Sequence, residues 1–303
     1  MIQSYTNPIV CDPALRKPTI PTRMYGDNIY HDPHHDDHVH FPSAIYIQFE
    51  PDAIKHQQSY LLSHWMNFTH ILTFNNIVLA SCPNARKYIY GTTWITEDQA
   101  KSISMSKKTF QMSSLTGGKL ARLNGYGRGP TGYDFRMNIY NRQHEFTHIP
   151  SVFYVSSSMP PPNPNPNPNP NPNPNPNPNP NPNPNNPILN GSKFVLFETY
   201  QFSLIIENSI QINYFTEKLC DCLYTKTIPI YYGCPNIHEY FDTTGWIRLT
   251  NESVEELHAK LTQLDELYYQ KHIETVEKNF REVQKYTDLV TNINRGLELC
   301  ENY

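Results

Sequence analysis

Residues 200–218 read YQFSLIIENSIQINYFTEK, and the fold is decided by this stretch. Phe202–Glu207 is a short apolar run bounded by polar residues, which is typical of a buried strand. A loop then leads to Thr216, whose hydroxyl can cap a helix that begins at the next residue. Open α/β sheets bind phosphorylated ligands where a strand end faces a helix N-terminus, because free N–H groups and the helix dipole attract negative charge. The stretch therefore predicts an anion-binding strand–loop–helix unit.

Three side chains of this stretch can act on such a ligand. Lys218 supplies a mobile cation for a phosphate, and Glu217 and Asn208 can form hydrogen bonds with sugar hydroxyls. The same residues also have a purely structural explanation, in which Glu217 complements the helix dipole and Lys218 is solvated. The spacing alone leaves both interpretations open.

Strand-like and helix-like segments alternate on both sides of this stretch. Strands are predicted at residues 44–49, 71–74, 87–90, 109–115, 152–155, 227–233 and 246–249. Helices are predicted at residues 56–67, 133–145, 216–224 and from 254 onward. Ser253 and Glu256 match a capping box for the last helix, and the polar residues 96–108 are typical of a connection between domains. The alternation predicts an α/β protein with parallel sheets.

One block of low complexity interrupts this pattern. Fifteen of the 27 prolines in the 303-residue chain lie between Pro160 and Pro187, and eleven consecutive Asn-Pro pairs run from Asn163 to Pro184. Every second residue of these pairs lacks an N–H group, so neither a helix nor a sheet ladder can form there. We interpret residues 159–187 as a disordered surface-loop insertion, since loop closure becomes only slowly more costly with length. The alternative is a spacer or a ligand for a proline-recognising partner.

Charge, cysteines and hydropathy exclude several classes of protein. The formal net charge of -4 is unlike the basic surface of a protein that binds nucleic acid, so no nucleic-acid partner is expected. The six cysteines include no CxxC pair, which favours free thiols in a reducing compartment. The first residues lack the features of a signal peptide, and no apolar run approaches the roughly 20 residues that cross a bilayer. We therefore expect a soluble cytoplasmic protein, of the host cytoplasm if the source is viral.

A second polar block lies near the start of the chain. His31–His40 (HDPHHDDHVH) contains five histidines and three aspartates, which can bind a divalent metal if the imidazoles converge. Pro33 interrupts the run, and no second cluster of ligands follows it. A solvated loop is the default interpretation, and a metal site remains the alternative.

Three sequence blocks together resemble the signature of one enzyme family. Tyr200–Ser209 (YQFSLIIENS), Tyr214–Lys218 (YFTEK) and Thr227–Pro235 (TIPIYYGCP) are similar to the linked motifs of the α-1,3-fucosyltransferases, glycosyltransferase family 10. Thr69–Phe74 (THILTF) and Tyr90–Trp94 (YGTTW) resemble weaker N-terminal blocks of soluble microbial and viral members. The resemblance covers roughly residues 45–250, on both sides of the Asn-Pro block.

This resemblance implies a fold, a reaction and two substrates. The fold is α/β of the GT-B type, with two Rossmann-like domains facing a cleft. We expect an N-terminal acceptor-side domain at residues 1–103 and a C-terminal donor domain at residues 104–303, which carries the insertion and C-terminal helices. The reaction transfers fucose, with inversion, from GDP-fucose to a hydroxyl of an oligosaccharide or glycoconjugate. No cofactor is expected and no metal is predicted, because side chains and helix N–H groups can stabilise the leaving diphosphate.

The resemblance also carries roles onto individual residues. Asn208, Tyr214, Glu217 and Lys218 match the donor-contacting positions of the family motif, and Arg136 is similar to the arginine that neutralises the diphosphate. The other candidates for that arginine are Arg122, Arg128 and Arg142. Glu50 matches the proposed general base, with Glu97 as the alternative. There are two rival hypotheses. The protein transfers the sugar of another nucleotide sugar, or it is an inactive protein that binds a nucleotide or a glycan. The sequence leaves the oligomeric state open.

Overall fold

The structure, a computed structural model, describes residues 10–12, 17–19, 24–26, 45–54, 57–117, 131–156 and 186–298, the first three segments by their backbone only. The histidine-rich block His31–His40 and the Asn-Pro pairs lie outside the described residues, as do Arg122 and Arg128. The expectations for these parts of the chain therefore stay predictions.

The larger of the described sheets has six strands, all parallel. Its strands are β7 (Thr109–Thr116), β8 (Ser151–Ser156), β9 (Ile188–Leu189), β10 (Tyr200–Ile206), β11 (Ile228–Tyr232) and β12 (Ile247–Arg248). Their order across the sheet is β12-β11-β10-β7-β8-β9. From β7 the chain adds β8 and β9 on one side, and it then returns to add β10, β11 and β12 on the other side of β7. The Rossmann arrangement has the same change of side, and its ligands bind there, outside the carboxyl ends of the strands.

A smaller parallel sheet of four strands precedes it. Its strands are β3 (Met24–Gly26), β4 (Ile45–Ile47), β5 (His70–Thr73) and β6 (Ala85–Lys87), which pair in that order. An antiparallel pair, β1 (Val10–Asp12) with β2 (Lys17–Thr19), comes first in the chain. Two parallel sheets with intervening helices confirm the predicted α/β class.

Nine α-helices are found in the described part of the chain. They are α1 (Gln57–His64), α2 (Asn76–Ser81), α3 (Glu97–Ser102), α4 (Gly132–Asn141), α5 (Glu217–Tyr224), α6 (Val254–Leu261), α7 (Tyr268–Lys271), α8 (Ile273–Val283) and α9 (Leu289–Glu298). None of these described helices has both the length and the apolar character that a membrane crossing needs.

Strand β10 is central because its side chains are buried on both faces. Phe202, Leu204 and Ile206 point to one face and join a core cluster with Ile230 of β11. Ile205 points to the other face and packs with the apolar side of α5. A strand covered on both faces is read from sequence as a continuous apolar run, which is the pattern of residues 202–206.

Helix α9 lies against the four-stranded sheet although it comes last in the chain. Leu289 and Ile293 pack in one apolar cluster with Ile45 and Leu72. Asn292 fastens the helix further by donating its side-chain amide to the carbonyl of Gly91 at 2.8 Å. The final helix therefore ties the later part of the sequence to the first sheet.

The Asn-Pro block is bordered by two paired strands. Val155 of β8 pairs with Ile188 of β9, and Ser156 pairs with Leu189. The Val155 amide also donates to the carbonyl of Pro187 at 3.0 Å. The last described residue before the block and the first strand after it are therefore neighbours in the sheet.

Some predicted elements differ from the observed ones. The strand predicted at residues 87–90 is displaced: β6 ends at Lys87, and Tyr88 is buried in irregular backbone. The polar residues 96–108 contain α3, because Thr96 and Gln99 form a full capping box. Ser253 caps α6 as predicted, but the Glu256 carboxylate accepts from the Thr250 and Asn251 amides and does not return to residue 253.

Candidate active site

A cavity of about 290 Å³ opens beside the junction of β7 and β10. The strand ends contribute Leu115, Ser156 and Ile206, and helices α4 and α5 form two of the walls. Glu50, which follows β4 of the smaller sheet, completes the lining. The cavity thus occupies the position that the strand order predicts for a ligand.

The N-terminus of α5 is held to the end of β10 by a buried carboxylate. Glu207 is fully buried and accepts from the Thr216 amide at 2.9 Å and from the Thr216 hydroxyl at 2.7 Å. The same hydroxyl accepts from the amide of Lys218 at 3.3 Å and so caps the helix. Burial raises the pKa of Glu207, while Lys218 and the Thr216 donors act in the opposite direction.

Two lysines flank Glu217 in the first turn of α5. The Glu217 carboxylate lies 3.3 Å from Lys218 Nζ and 3.4 Å from Lys193 Nζ. Burial acts to raise the pKa of Glu217, but the two ammonium groups outweigh it and hold the pKa at about 2. Burial likewise acts to lower the pKa of Lys218, while Glu217 and Glu207 raise it above its usual value. The site therefore keeps the Glu217 carboxylate and the Lys218 ammonium charged at neutral pH.

Arg136 brings a third cation from α4. Its guanidinium donates through Nη1 to the carbonyl of Ile206 and through Nη2 to Asn208 Oδ1 at 3.0 Å. The guanidinium carbon also lies 4.7 Å from the centre of the Tyr133 ring. These contacts fix the guanidinium at the end of β10, where it lines the cavity together with Lys218.

Gly132 explains how α4 can lie so close to β10. A Cβ atom at this position would overlap the carbonyl oxygen of Glu207 and crowd the side chain of Ile206. The Gly132 amide donates to the carbonyl of Asn208 at 3.2 Å. A glycine at the start of α4 is therefore required to place Arg136 one turn later over the strand end.

Five of the six predicted site residues line this cavity. They are Glu50, Arg136, Asn208, Glu217 and Lys218. Tyr214 is not among the lining residues: it is buried, and its ring centre lies 5.0 Å from that of Phe74. Its predicted contact with the donor stays a prediction.

The alternatives to Glu50 and Arg136 lie elsewhere. Glu97 is exposed on α3 and forms an ion pair with Lys101 at 2.6 Å. Arg142 follows α4 and pairs with Glu145 at 2.7 Å and with Glu255 at 2.6 Å. The cavity lining includes neither Glu97 nor Arg142. Of the candidates that the structure describes, geometry favours Glu50 and Arg136.

Several residues of the site were not singled out from the sequence. Glu207 was read only as the end of a strand, although it positions Thr216. Asp221 and Lys193 line the cavity and were missed. Asp221 stands four residues after Glu217, on the same face of α5, and this spacing is the signal that could have found it. No sequence pattern around Lys193 indicates that it lies at the cavity.

The described residues contain no cluster of three His, Cys, Asp or Glu side chains that could hold a metal ion. The cations available at the cavity are those of Arg136, Lys193 and Lys218. Catalysis without a metal stays a prediction from the family resemblance.

The fold and the site geometry can be compared with those of known proteins. Residues 186–302 match the family model described as "Glycosyltransferase family 10 (fucosyltransferase) C-term". This match confirms the resemblance drawn from the sequence, and the matched residues include β10 and α5.

Two curated relatives agree with this assignment. GDP-fucose protein O-fucosyltransferase 3 of Danio rerio is 34% identical over 107 residues, which are 34% of this chain and 21% of that protein. Alpha-(1,3)-fucosyltransferase FucT of Helicobacter pylori is 36% identical over 50 residues, which are 16% of this chain and 10% of that protein. The chain thus matches about a fifth or less of the length of either relative.

A solved structure supports the fold. Anabaena HepE in complex with UDP-glucose superposes with a TM-score of 0.53 at 8% sequence identity, covering 86% of this chain and 72% of that chain. At this identity the similarity concerns the α/β fold with parallel sheets and not the substrate.

Proposed function

We propose that this protein is an inverting glycosyltransferase that moves fucose from GDP-fucose to a hydroxyl of an oligosaccharide or glycoconjugate, in the manner of α-1,3-fucosyltransferases. The observation that carries the proposal is the convergence of Arg136 and Lys218 at the N-terminus of α5. Two cations and a helix N-terminus suit a diphosphate. The matched family 10 domain, and a relative whose name includes GDP-fucose, favour fucose as the sugar.

In this proposal the residues of α4 and α5 act on the leaving group. Arg136 and Lys218 neutralise the charge that develops on the GDP oxygens as the glycosidic bond breaks. Asn208 accepts a hydrogen bond from Arg136 and so holds it in place. Asn208 and Tyr214 also contact the donor, as their match to the family motif implies. Glu217, ionised because its pKa is about 2, accepts hydrogen bonds from the donor sugar and favours its oxocarbenium-like charge.

Glu50 acts on the acceptor in the same proposal. It lines the same cavity as the first turn of α5, on the segment that follows β4 of the smaller sheet. From there its carboxylate removes the proton of the acceptor hydroxyl as that oxygen attacks the anomeric carbon. Attack from the face opposite GDP inverts the configuration.

We further propose a GT-B arrangement in the cytoplasm. The four-stranded sheet belongs to an acceptor-side domain of residues 1–103, and the six-stranded sheet to a donor domain of residues 104–303. The low-complexity insertion at residues 159–187 falls within the sequence of this donor domain. The reaction runs without a metal, because Arg136, Lys218 and the α5 amides take its place at the diphosphate.

The first test is thermal unfolding with GDP. GDP at about 100 times its Kd should add about 2.7 kcal/mol of stability, which is roughly 5 °C in Tm. Lys218→Ala and Arg136→Ala should reduce this shift, whereas Lys271→Ala, which removes an exposed ion pair with Asp265, should not. The Tm without nucleotide, measured for each variant, separates lost binding from lost folding.

The second test is release of the nucleotide from a panel of sugar donors. GDP-fucose should be hydrolysed or transferred faster than GDP-mannose and UDP-sugars. Faster turnover of another donor would replace fucose in the proposal. The absence of both a GDP-induced Tm shift and any turnover would refute it.

A further inference from the structure

One buried carboxylate at the cavity has a role that the diphosphate does not explain. Asp221 lies one turn after Glu217 on α5, is fully buried and lines the cavity. Its Oδ1 atom accepts from the Thr93 hydroxyl and from the Trp94 amide, both at 2.6 Å. Its Oδ2 atom has no hydrogen-bond partner among the described residues. A buried carboxylate oxygen left without a donor is costly, so it indicates a partner that arrives with a ligand.

The cavity that Asp221 lines also carries apolar side chains. Leu115, Leu196 and Ile205 line it together with the cations Arg136 and Lys218. Apolar lining side chains together with an unpaired carboxylate oxygen suit a flat heterocycle that presents hydrogen-bond donors at its edge. The cavity therefore offers cations for a diphosphate, and apolar side chains with an unpaired carboxylate oxygen for a base.

Lys193 adds a donor beside the Asp221 acceptor. It lines the same cavity, its ammonium lies 5.2 Å from the centre of the Trp94 ring, and its charge favours the ionised form of Asp221. An acceptor next to a donor is the complement of a base edge that carries a carbonyl oxygen beside an N–H group.

We propose that Asp221 selects guanine: its Oδ2 atom accepts the N1–H and 2-amino donors of the base, while Lys193 Nζ donates to the guanine O6 atom. Uracil offers a carbonyl oxygen where guanine has its 2-amino group, and this oxygen would face the carboxylate. The inference rests on the proposed function, because it names how the same cavity chooses its nucleotide.

The test exchanges the carboxylate for an amide of the same shape. In Asp221→Asn the carbonyl oxygen can still accept from Thr93 and Trp94, while the amide NH₂ takes the place of Oδ2. Xanthine carries a carbonyl oxygen where guanine has its 2-amino group, so the variant should favour xanthosine diphosphate (XDP). We expect GDP affinity to fall at least tenfold and the GDP-to-XDP preference to drop further, as measured by titration calorimetry. Asp98→Asn, on the exposed surface of α3, is the matched control and should bind both nucleotides as the wild type does.

The outcomes separate this inference from the proposed function. A wild-type protein that binds no GDP refutes the proposed function and the base subsite together. A wild-type protein that binds GDP, with an unchanged GDP-to-XDP ratio in Asp221→Asn, refutes the base subsite alone. If the variant does not fold, wild-type affinity decides: equal binding of GDP and XDP overturns the inference, and at least tenfold preference for GDP supports it.

Discussion

Replacing Asp221 with asparagine should remove a pH-dependent loss of stability from the nucleotide-free protein. Burial raises the pKa of Asp221 from 3.8 to about 6, and Lys193, Thr93 and Trp94 offset this only in part. A shift of about two pKa units, at about 1.4 kcal/mol each, is worth about 3 kcal/mol. The folded protein binds this proton more tightly than the unfolded chain does. The wild type therefore loses that stability as the pH rises from about 4 to about 6, and Asp221→Asn does not.

Urea unfolding of both proteins without nucleotide measures this difference. The free energy of unfolding is compared at about pH 4 and about pH 7, and the change in the wild-type-minus-variant difference should be about 3 kcal/mol. Any fixed cost of the asparagine amide is the same at both pH values and cancels. A difference that stays constant within about 0.5 kcal/mol would show that Asp221 is ionised in the folded state as easily as in water.

Two further variants test the catalytic geometry. Glu50→Gln should leave the GDP-induced Tm shift intact and lower the transfer rate by about a hundredfold or more, the usual effect of losing a general base; an unchanged rate in a transfer assay would reject Glu50 as the base. Gly132→Ala should push α4 away from Glu207 and Ile206, cost about 1–3 kcal/mol in urea unfolding and weaken GDP binding in calorimetry. An undiminished GDP affinity in Gly132→Ala would contradict the role given to α4.

The elements around the site were predictable because their signals are local. Phe202–Glu207 is apolar at consecutive positions, and this pattern predicts a strand covered on both faces, as β10 is. Thr216 before Glu217 predicts the start of α5 at the residue where it is observed. The strand predicted at residues 87–90 was wrong beyond Lys87, because Tyr88 is buried by tertiary packing and not by pairing in a sheet. A β-like composition does not distinguish these two causes of burial.

Site residues were predictable from the sequence only where they lie together in one short motif. Asn208, Glu217 and Lys218 lie within one short segment, so the sequence places them together. The Asp221 carboxylate meets Thr93 and Trp94 across 128 and 127 residues of chain, and no local pattern records such a contact. Glu207 was underestimated for a related reason, because its bonds to Thr216 depend on how the intervening loop closes.

The pairing of β8 with β9 means that the fold does not depend on the number of Asn-Pro pairs. Since Val155 and Ile188 meet in the sheet on either side of the block, the connection between them has only to be long enough to close. The number of Asn-Pro pairs can therefore change without altering the pairing of β8 with β9, which makes the block a suitable position for inserting a reporter domain.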